Sequence, residues 1–570
     1  MSLRPAIIIT AFILLASAPA FAHDSQVAHD THPPAPTITA SNIDVTAPPL
    51  LVEKARAVTI NLIDAITGKP VHGLVRISTE AGRRIQLDGL LSRAAMLSPR
   101  SIGDASFAHM NSWSILPGTA TLMLPPDTLR IETFRGLNSR RSTQTITKSF
   151  ESQDITLTVH PLVPDLSKHW QAGNTHLHTK DMPLDESERY ATQTAAADAY
   201  DIVFFSYLER HESDKDYISN QYTQADLDRF SQGSGVLFGY GEEYRHNLVN
   251  HHQGYGHVMF LDTQSLILPA SLGQSIMKSG NDDIPLRPGI EAAQAQDATV
   301  LWAHGSRGME DIPSWLAGLI DVQMIFDQGS LGTYEDALYR YWNLGLKVPL
   351  ATGTDWFFRD MATVYVNTEK KLTTENWLQA LREGKSYISN GPLLELTVNG
   401  QPVGSKIAVQ PGEEIVLRAS ANGAHNFGEI QVLIDGQVHT APAMPNSGHG
   451  YYARLTLKRI ATQSTWIAAR VKPFEANYDK PAPPTSVGFN DYGKPLFAHT
   501  SPIYLIVDNQ PIFKPEAAQS LLEEVREDRA ILQEKGDFSS AEARDTILSI
   551  YAQAEAELEQ RLKIEPSALK

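Results

Sequence analysis

The stretch Gln171-Ala-Gly-Asn-Thr-His-Leu-His-Thr179 carries the reading of this chain. On a β-strand, residues i and i+2 point to the same side. His176 and His178 therefore converge on one point, with Leu177 turned to the other face. Imidazole is the commonest metal ligand among side chains. A chain with 19 His contains chance pairs, so the weight of this one rests on the residues downstream of it.

Ten of those histidines fall between His160 and His304. Over roughly the same stretch, apolar strand-like runs alternate with helical patterns. The runs are Ile202–Phe205, Val236–Phe238, Val258–Leu261, Thr299–Trp302 and Val348–Ala351. The helical patterns are Glu186–Ala199, Glu291–Gln296 and Glu335–Leu344. Such alternation predicts a parallel sheet or barrel. Polar residues stand just after or beside these runs: Glu242 and Glu243, His257, His304 and Asp355. In barrels of alternating strands and helices, residues at C-terminal strand ends meet at one mouth. Taken singly, each has a plain structural explanation. His257 suits a strand edge, His304-Gly305 a turn, and Asp355 a helix N-cap. Taken together they form an N/O donor set suited to Zn²⁺, Mn²⁺ or Fe.

The order of these elements resembles the polymerase and histidinol phosphatase (PHP) family of metal-dependent hydrolases, closest to the branch that includes carbaryl hydrolase. The resembling pieces are Gly173–Thr179, Gly241-Glu-Glu243 with Gly256-His257, Ala303-His304, Gly353-Thr-Asp355 and Ala380–Pro392. They span roughly residues 165 to 405. The resemblance implies a distorted β/α barrel holding two divalent metal ions. His176, His178, Glu243 and Asp355 would hold one ion. Glu243, His257 and His304 would hold the second, with Glu243 bridging. Glu243 is preferred to Glu242 because the family's Glu sits two residues after a Gly. Three positions depart from the family: Asn174 replaces an Asp, and Leu208 and Phe357 stand where His is usual. The two missing His belong to a third metal position, which implies a retained two-metal site. Glu209 and His211 read as loop or surface residues. His246, His251 and His252 read as an exposed loop.

The flanks have a different texture. Arg4, the apolar run Ala6–Ala18 and Ala20-Phe-Ala22 read as a signal peptide over 1–22. A Pro- and Ala-rich linker occupies 23–54. Short alternating runs such as Val58–Asp64 and Ile155–Val159 predict a β-sandwich over 55–164. The barrel occupies 165–392. A second sandwich is predicted over 393–508, with hairpin turns at Asn399-Gly400 and Asp435-Gly436. A helical tail over 509–570 forms a hairpin, broken at Lys535-Gly-Asp537. The fold class is thus multidomain, α/β and β, with a barrel flanked by two sandwiches.

The chain has 570 residues, 42% hydrophobic and 20% charged, a composition ordinary for a folded soluble protein. A net charge of −17 repels phosphate backbones, which excludes nucleic acid as a natural partner. The absence of Cys fits an oxidising compartment, periplasmic or secreted, and leaves metal binding to His, Asp and Glu. No later segment reads as a membrane span. The expected function is an exported metal-dependent hydrolase of a phosphoester, ester or carbamate, acting on a small molecule or a piece of polymer. Asp355 is the candidate to orient or deprotonate water, beside Glu243 as the shared ligand. Arg307 is a candidate for an anionic substrate group. The alternative is a ligand-binding or envelope scaffold whose catalysis has been lost.

Overall fold

Alternation decides the architecture at the N-terminal end. In the computed structural model, Val58, Ile60 and Leu62 of the strand Arg56–Asp64 are buried between partly exposed neighbours. This strand is the centre of a three-stranded sheet with Thr119–Leu124 and Asp154–Val159. The sheet packs on a five-stranded one that includes His72–Thr79 and Leu129–Phe134. Val75, Ile77, Leu116 and Ile131 meet Val58, Ile60 and Leu157 in one core. The two sheets bury one face each against the other, which makes a sandwich, while Leu74, Ile115 and Phe134 on the far face of the five-stranded sheet pack into a second core. The structure describes residues 43–563 apart from 53–54, 148–153, 249–250, 274–280, 306–307, 328–333, 448–449 and 474–486. The signal peptide, the linker up to residue 42 and Arg307 lie outside the described residues.

The central sheet starts with β1 (Trp170–His178), which runs parallel to β2 (Ile202–Tyr207). β2 is parallel to β3 (Leu237–Leu248), and β3 is antiparallel to β4 (His251–Leu261). β4 pairs antiparallel with β5 (Thr299–Trp302), which is parallel to β6 (Val322–Met324). β6 pairs with β7 (Leu350–Ala351), and the chain runs on into β8 (Asp355–Trp356), which lies parallel beside β1. The sheet thus curls until its last strand meets its first. Helices α1 (Leu184–Ala197) and α2 (Gln224–Ser234) make the first two crossovers. The hydroxyl of Thr223 and the carboxylate of Asp226 form a capping box at the start of α2. Gly235, in the left-handed region, ends the helix.

Strict parallel alternation fails at β4. Only two residues separate β3 from β4, whereas a parallel return needs a crossover of a dozen or more. The chain therefore doubles back as a hairpin arm. The arm also corrects the reading of His246 as a loop residue. β3 runs on to Leu248, and His246 is fully buried within it against Asp282.

Beyond the barrel, Thr363–Asn367 pairs with β1, Ser386–Ser389 pairs with Thr363–Asn367, and Ala498–Thr500 pairs with Ser386–Ser389. Ala498–Thr500 belongs to one sheet of a second sandwich, so hydrogen bonds run unbroken from barrel to sandwich. The facing sheet is built on Leu393–Val398, Glu414–Gly423 and Tyr451–Ile460. Two helices, α3 (Pro515–Lys535) and α4 (Ala541–Lys563), form an antiparallel pair. Their Leu521, Leu522, Val525, Ile547 and Tyr551 share the barrel's core with Trp302 and Trp342. Among the described residues no helix is long and apolar enough to cross a membrane.

Candidate metal centre

His176 and His178 leave β1 on one side, as their spacing requires, and both are fully buried. Each ring is held by its Nδ1. That of His178 donates to the carbonyl oxygen of Ser206 at 2.8 Å, and a carbonyl can only accept. That of His176 lies 2.8 Å from Oδ2 of Asp327. Burial works against the Asp327 carboxylate, but the imidazoles of His176 and His304 hold its pKa well below the usual range. Asp327 is therefore an acceptor, and the His176 proton is at Nδ1. The two Nε2 atoms then face each other at 2.9 Å. Two acceptors at that distance repel unless a proton or a cation lies between them.

Carboxylates surround the same point. Oε2 of Glu243 is 3.0 Å from His178 Nε2 and 3.7 Å from His176 Nε2. Oδ1 of Asp355 is 3.3 and 3.5 Å from the Nε2 atoms of His176 and His178. The second oxygen of Glu243 faces a second cluster: Oε1 is 3.1 Å from His257 Nδ1 and 3.5 Å from His304 Nε2. Nε2 of His257 is occupied by Oδ1 of Asn247 at 3.1 Å, which leaves Nδ1 as the free lone pair. In both groups, His176–His178–Glu243–Asp355 and Glu243–His257–His304, the donor atoms lie within 4.8 Å of one another. Donors bound at about 2.0–2.2 Å to one cation stand about 3–3.5 Å apart. The observed spacings fit that geometry, and the donor set of imidazole and carboxylate fits a divalent transition metal.

The backbone is shaped for this. His304 and Asp355 both sit in the left-handed region, at φ 60° and 56°. A non-glycine residue adopts that conformation at a cost, which the surrounding structure must hold in place. Gly353 lets the segment before β8 pass against β1. A Cβ at that position would lie 2.6 Å from the Cβ of His176.

The adjacent glutamates have opposite fates. Glu242 points away from the centre, accepts the backbone N–H of Ile267 at 2.8 Å, and has its pKa pushed up to about 8 by burial. Burial opposes the charge of Glu243 too, but four imidazoles hold its pKa well below the usual range. The donor is thus Glu243. With only protein groups around them, burial depresses His304 and His176, but Asp327 and Glu243 lift His304 to about 9, and Asp327 and Asp355 lift His176 well above its usual value. Burial and the Arg245 guanidinium push His257 down to about 3. Burial raises Asp355, against the pull of the three nearest imidazoles.

The structure therefore brings together His176, His178, Glu243, His257, His304 and Asp355. Asp327 joins them without having been expected from the sequence. It ends the run Val322–Phe326, so the same strand-end rule marks it. Asn174 cross-links β1 to the segment before β8, donating to Thr354 Oγ1 and accepting from the backbone of His176 and Thr354. Leu208 and Phe357 are buried and offer no ligand atom. Glu209 accepts from the Tyr207 hydroxyl, and neither it nor His211 stands in any ligand group among the described residues.

No family model matches the chain, and no curated protein matches it. Among solved structures, it is similar to a two-domain protein from Bacteroides vulgatus described as containing a predicted PHP-like metal-dependent phosphoesterase. The identity is 11%, over 55% of this chain and 93% of that one, with a TM-score of 0.31. A superposition this loose carries no weight for fold or chemistry, and the centre is read from its own atoms.

Proposed function

We propose that the chain is an exported, PHP-type hydrolase that uses two divalent cations to cut a phosphoester, ester or carbamate. The observation that carries this reading is the pair of Nε2 atoms of His176 and His178 facing each other at 2.9 Å, ringed by two carboxylates. Bound there, divalent cations supply an acidified water and polarise the oxygen of the bond to be cut. His176, His178, Glu243 and Asp355 would hold one, and Glu243, His257 and His304 the other. Asp355 Oδ2 is buried and makes no hydrogen bond. It is the group we assign to orient the attacking water and take its proton. Asp327 fixes the His176 ring and lies 3.3 Å from His304 Nδ1, acting through the ligands and not on substrate. The Trp356 ring lies 5.0 Å from the His178 ring and walls the centre beside Asp355.

The test is elemental analysis of protein purified without added metal, together with a panel of phosphoester, carboxylate ester and carbamate substrates. Two equivalents of Zn, Mn or Fe with turnover on one class support the reading. Asp355→Ala should then lower kcat by about 10²-fold or more. Two equivalents without turnover on any class point to the ligand-binding scaffold. Hydrolysis undiminished by Asp355→Ala removes the role assigned to that carboxylate.

A further inference from the structure

The ligands are closed off on nearly every side. His176, His178, Glu243, Asp327 and Asp355 are at most 2% exposed and His304 6%, whereas the side chain of His257 is 19% exposed. His257 is paired in register across the β3–β4 arm with Arg245, whose side chain is 15% exposed. Arg245 stands two residues after Glu243 on the same strand, so both side chains leave β3 on the face that carries the donors. Arg245 thus flanks the most exposed of the ligands.

Among the described residues, the ion pair of Arg245 is a long one, with Glu243. Its nearest carboxylate contact is Nη1 to Glu243 Oε1 at 3.6 Å, beyond hydrogen-bond length. Its Nε is buried and makes no hydrogen bond. Burial lowers its pKa, and the Arg210 guanidinium lowers it further, against the pull of Glu243 and Asp355. Arg210 differs in being tied down. Its Nε donates to Asp214 at 2.9 Å, its Nη2 to Tyr217 at 3.0 Å, and its guanidinium lies over Trp356 at 5.2 Å. Lys180 lies 5.5 Å over the same ring and pairs with the exposed Asp181. The open side thus has two cations paired with their own carboxylates, Arg210 and Lys180, and a third, Arg245, with donors to spare. A guanidinium presents a planar fork of N–H groups matched to an oxyanion.

We propose that Arg245 is the substrate-recognition residue at the open side of the centre, and that the substrate brings a phosphate or similar oxyanion to it. This rests on the hydrolase reading and narrows it from esters in general to esters with an anionic group beside the bond cleaved. A purely structural Arg245, neutralising Glu243, would instead govern stability and metal content.

The experiment compares wild type, Arg245→Gln and Arg245→Lys, each first assayed for metal content and melting temperature. Inorganic phosphate is titrated calorimetrically into each protein, and KM is measured for 4-nitrophenyl phosphate and 4-nitrophenyl acetate. The expected result is a Kd for phosphate about tenfold weaker in Arg245→Gln, with metal retained. KM for the anionic ester should rise several-fold more than KM for the neutral one, and Arg245→Lys should recover part of the loss. Equal phosphate affinity in all three proteins, or equal KM changes for both esters, overturns the proposal. Loss of metal in Arg245→Gln, with phosphate binding restored on reloading, overturns it in favour of the structural role. If wild type hydrolyses neither ester nor any other substrate of the panel above, the hydrolase reading fails while the phosphate titration still decides the part played by Arg245.

Discussion

Glu242 and Glu243 differ by one position and by the face of β3 they leave from, and this reverses their chemistry. Glu242 meets one backbone N–H and is otherwise desolvated by burial, which favours its protonated form. Its pKa in the fold, about 8, lies above the 4.5 of an unfolded chain. Between those values the folded state binds more protons than the unfolded one, so stability falls as pH rises from about 4.5 to about 8. Glu242→Gln should remove that share of the slope, read as a flatter plot of Tm against pH, and should leave metal content unchanged. Glu243→Gln should abolish metal binding at both positions, because each carboxylate oxygen faces a different cluster. Asp327→Asn keeps the volume but weakens the hold on His176. Metal affinity should drop about 10–100-fold, measured by competition with a chromogenic chelator. At this scale the spacing of His176 and His178 is legible because strand geometry leaves no freedom. Which glutamate faces inward is not fixed by a run of two. Asp327 carries only the strand-end signal: no histidine stands near it along the chain, and it touches imidazole nitrogens on the far side from the donors.

The elements show why the donors are rigid. β1 supplies two of them and is flanked on both sides, by β2 and by β8, so its register is fixed twice. The β3–β4 arm supplies Glu243 and His257 from facing strands. Gly353 is the point where β1 and the segment entering β8 come closest. Gly353→Ala should drive a methyl into His176, with a lower Tm and a loss of bound metal measured by elemental analysis. A result with wild-type metal content would show that the crossing has slack. Strand runs and helices between them are visible in the sequence as changes of period. The antiparallel return at β4 is not, because the run Val258–Leu261 reads as a strand in either direction. Only the two-residue gap after β3 discriminates, and strand ends are too soft in sequence to reveal it.

Across the whole molecule, one buried arginine joins three parts. Arg93 is fully buried. It donates from Nε to Asp198 at 3.1 Å, just past α1, and from Nη1 to the carbonyl of Phe358, three residues after Asp355. Its guanidinium also lies 5.1 Å from the ring centre of Tyr492, close to the second sandwich. Arg93→Met takes the ion-pair partner from the buried Asp198, which should cost about 3–5 kcal/mol in urea unfolding. Since the same side chain steadies the segment after β8, metal affinity should fall as well. None of this is legible in the sequence. Arg93 has no pattern around it, and partners 105 and 265 residues away meet it only through the fold.

The helical hairpin has a consequence in time. Its turn is sewn to the arm's support: the amide of Asp537 bonds the carboxylate of Asp282, which also holds His246 of β3. A ribosome makes every metal-binding side chain before it makes these two helices. Until they arrive, Trp302 and Trp342 lack part of their cover, and the arm that holds Glu243 and His257 lacks its anchor. Metal loading should therefore come after completion of the polypeptide and not accompany its synthesis.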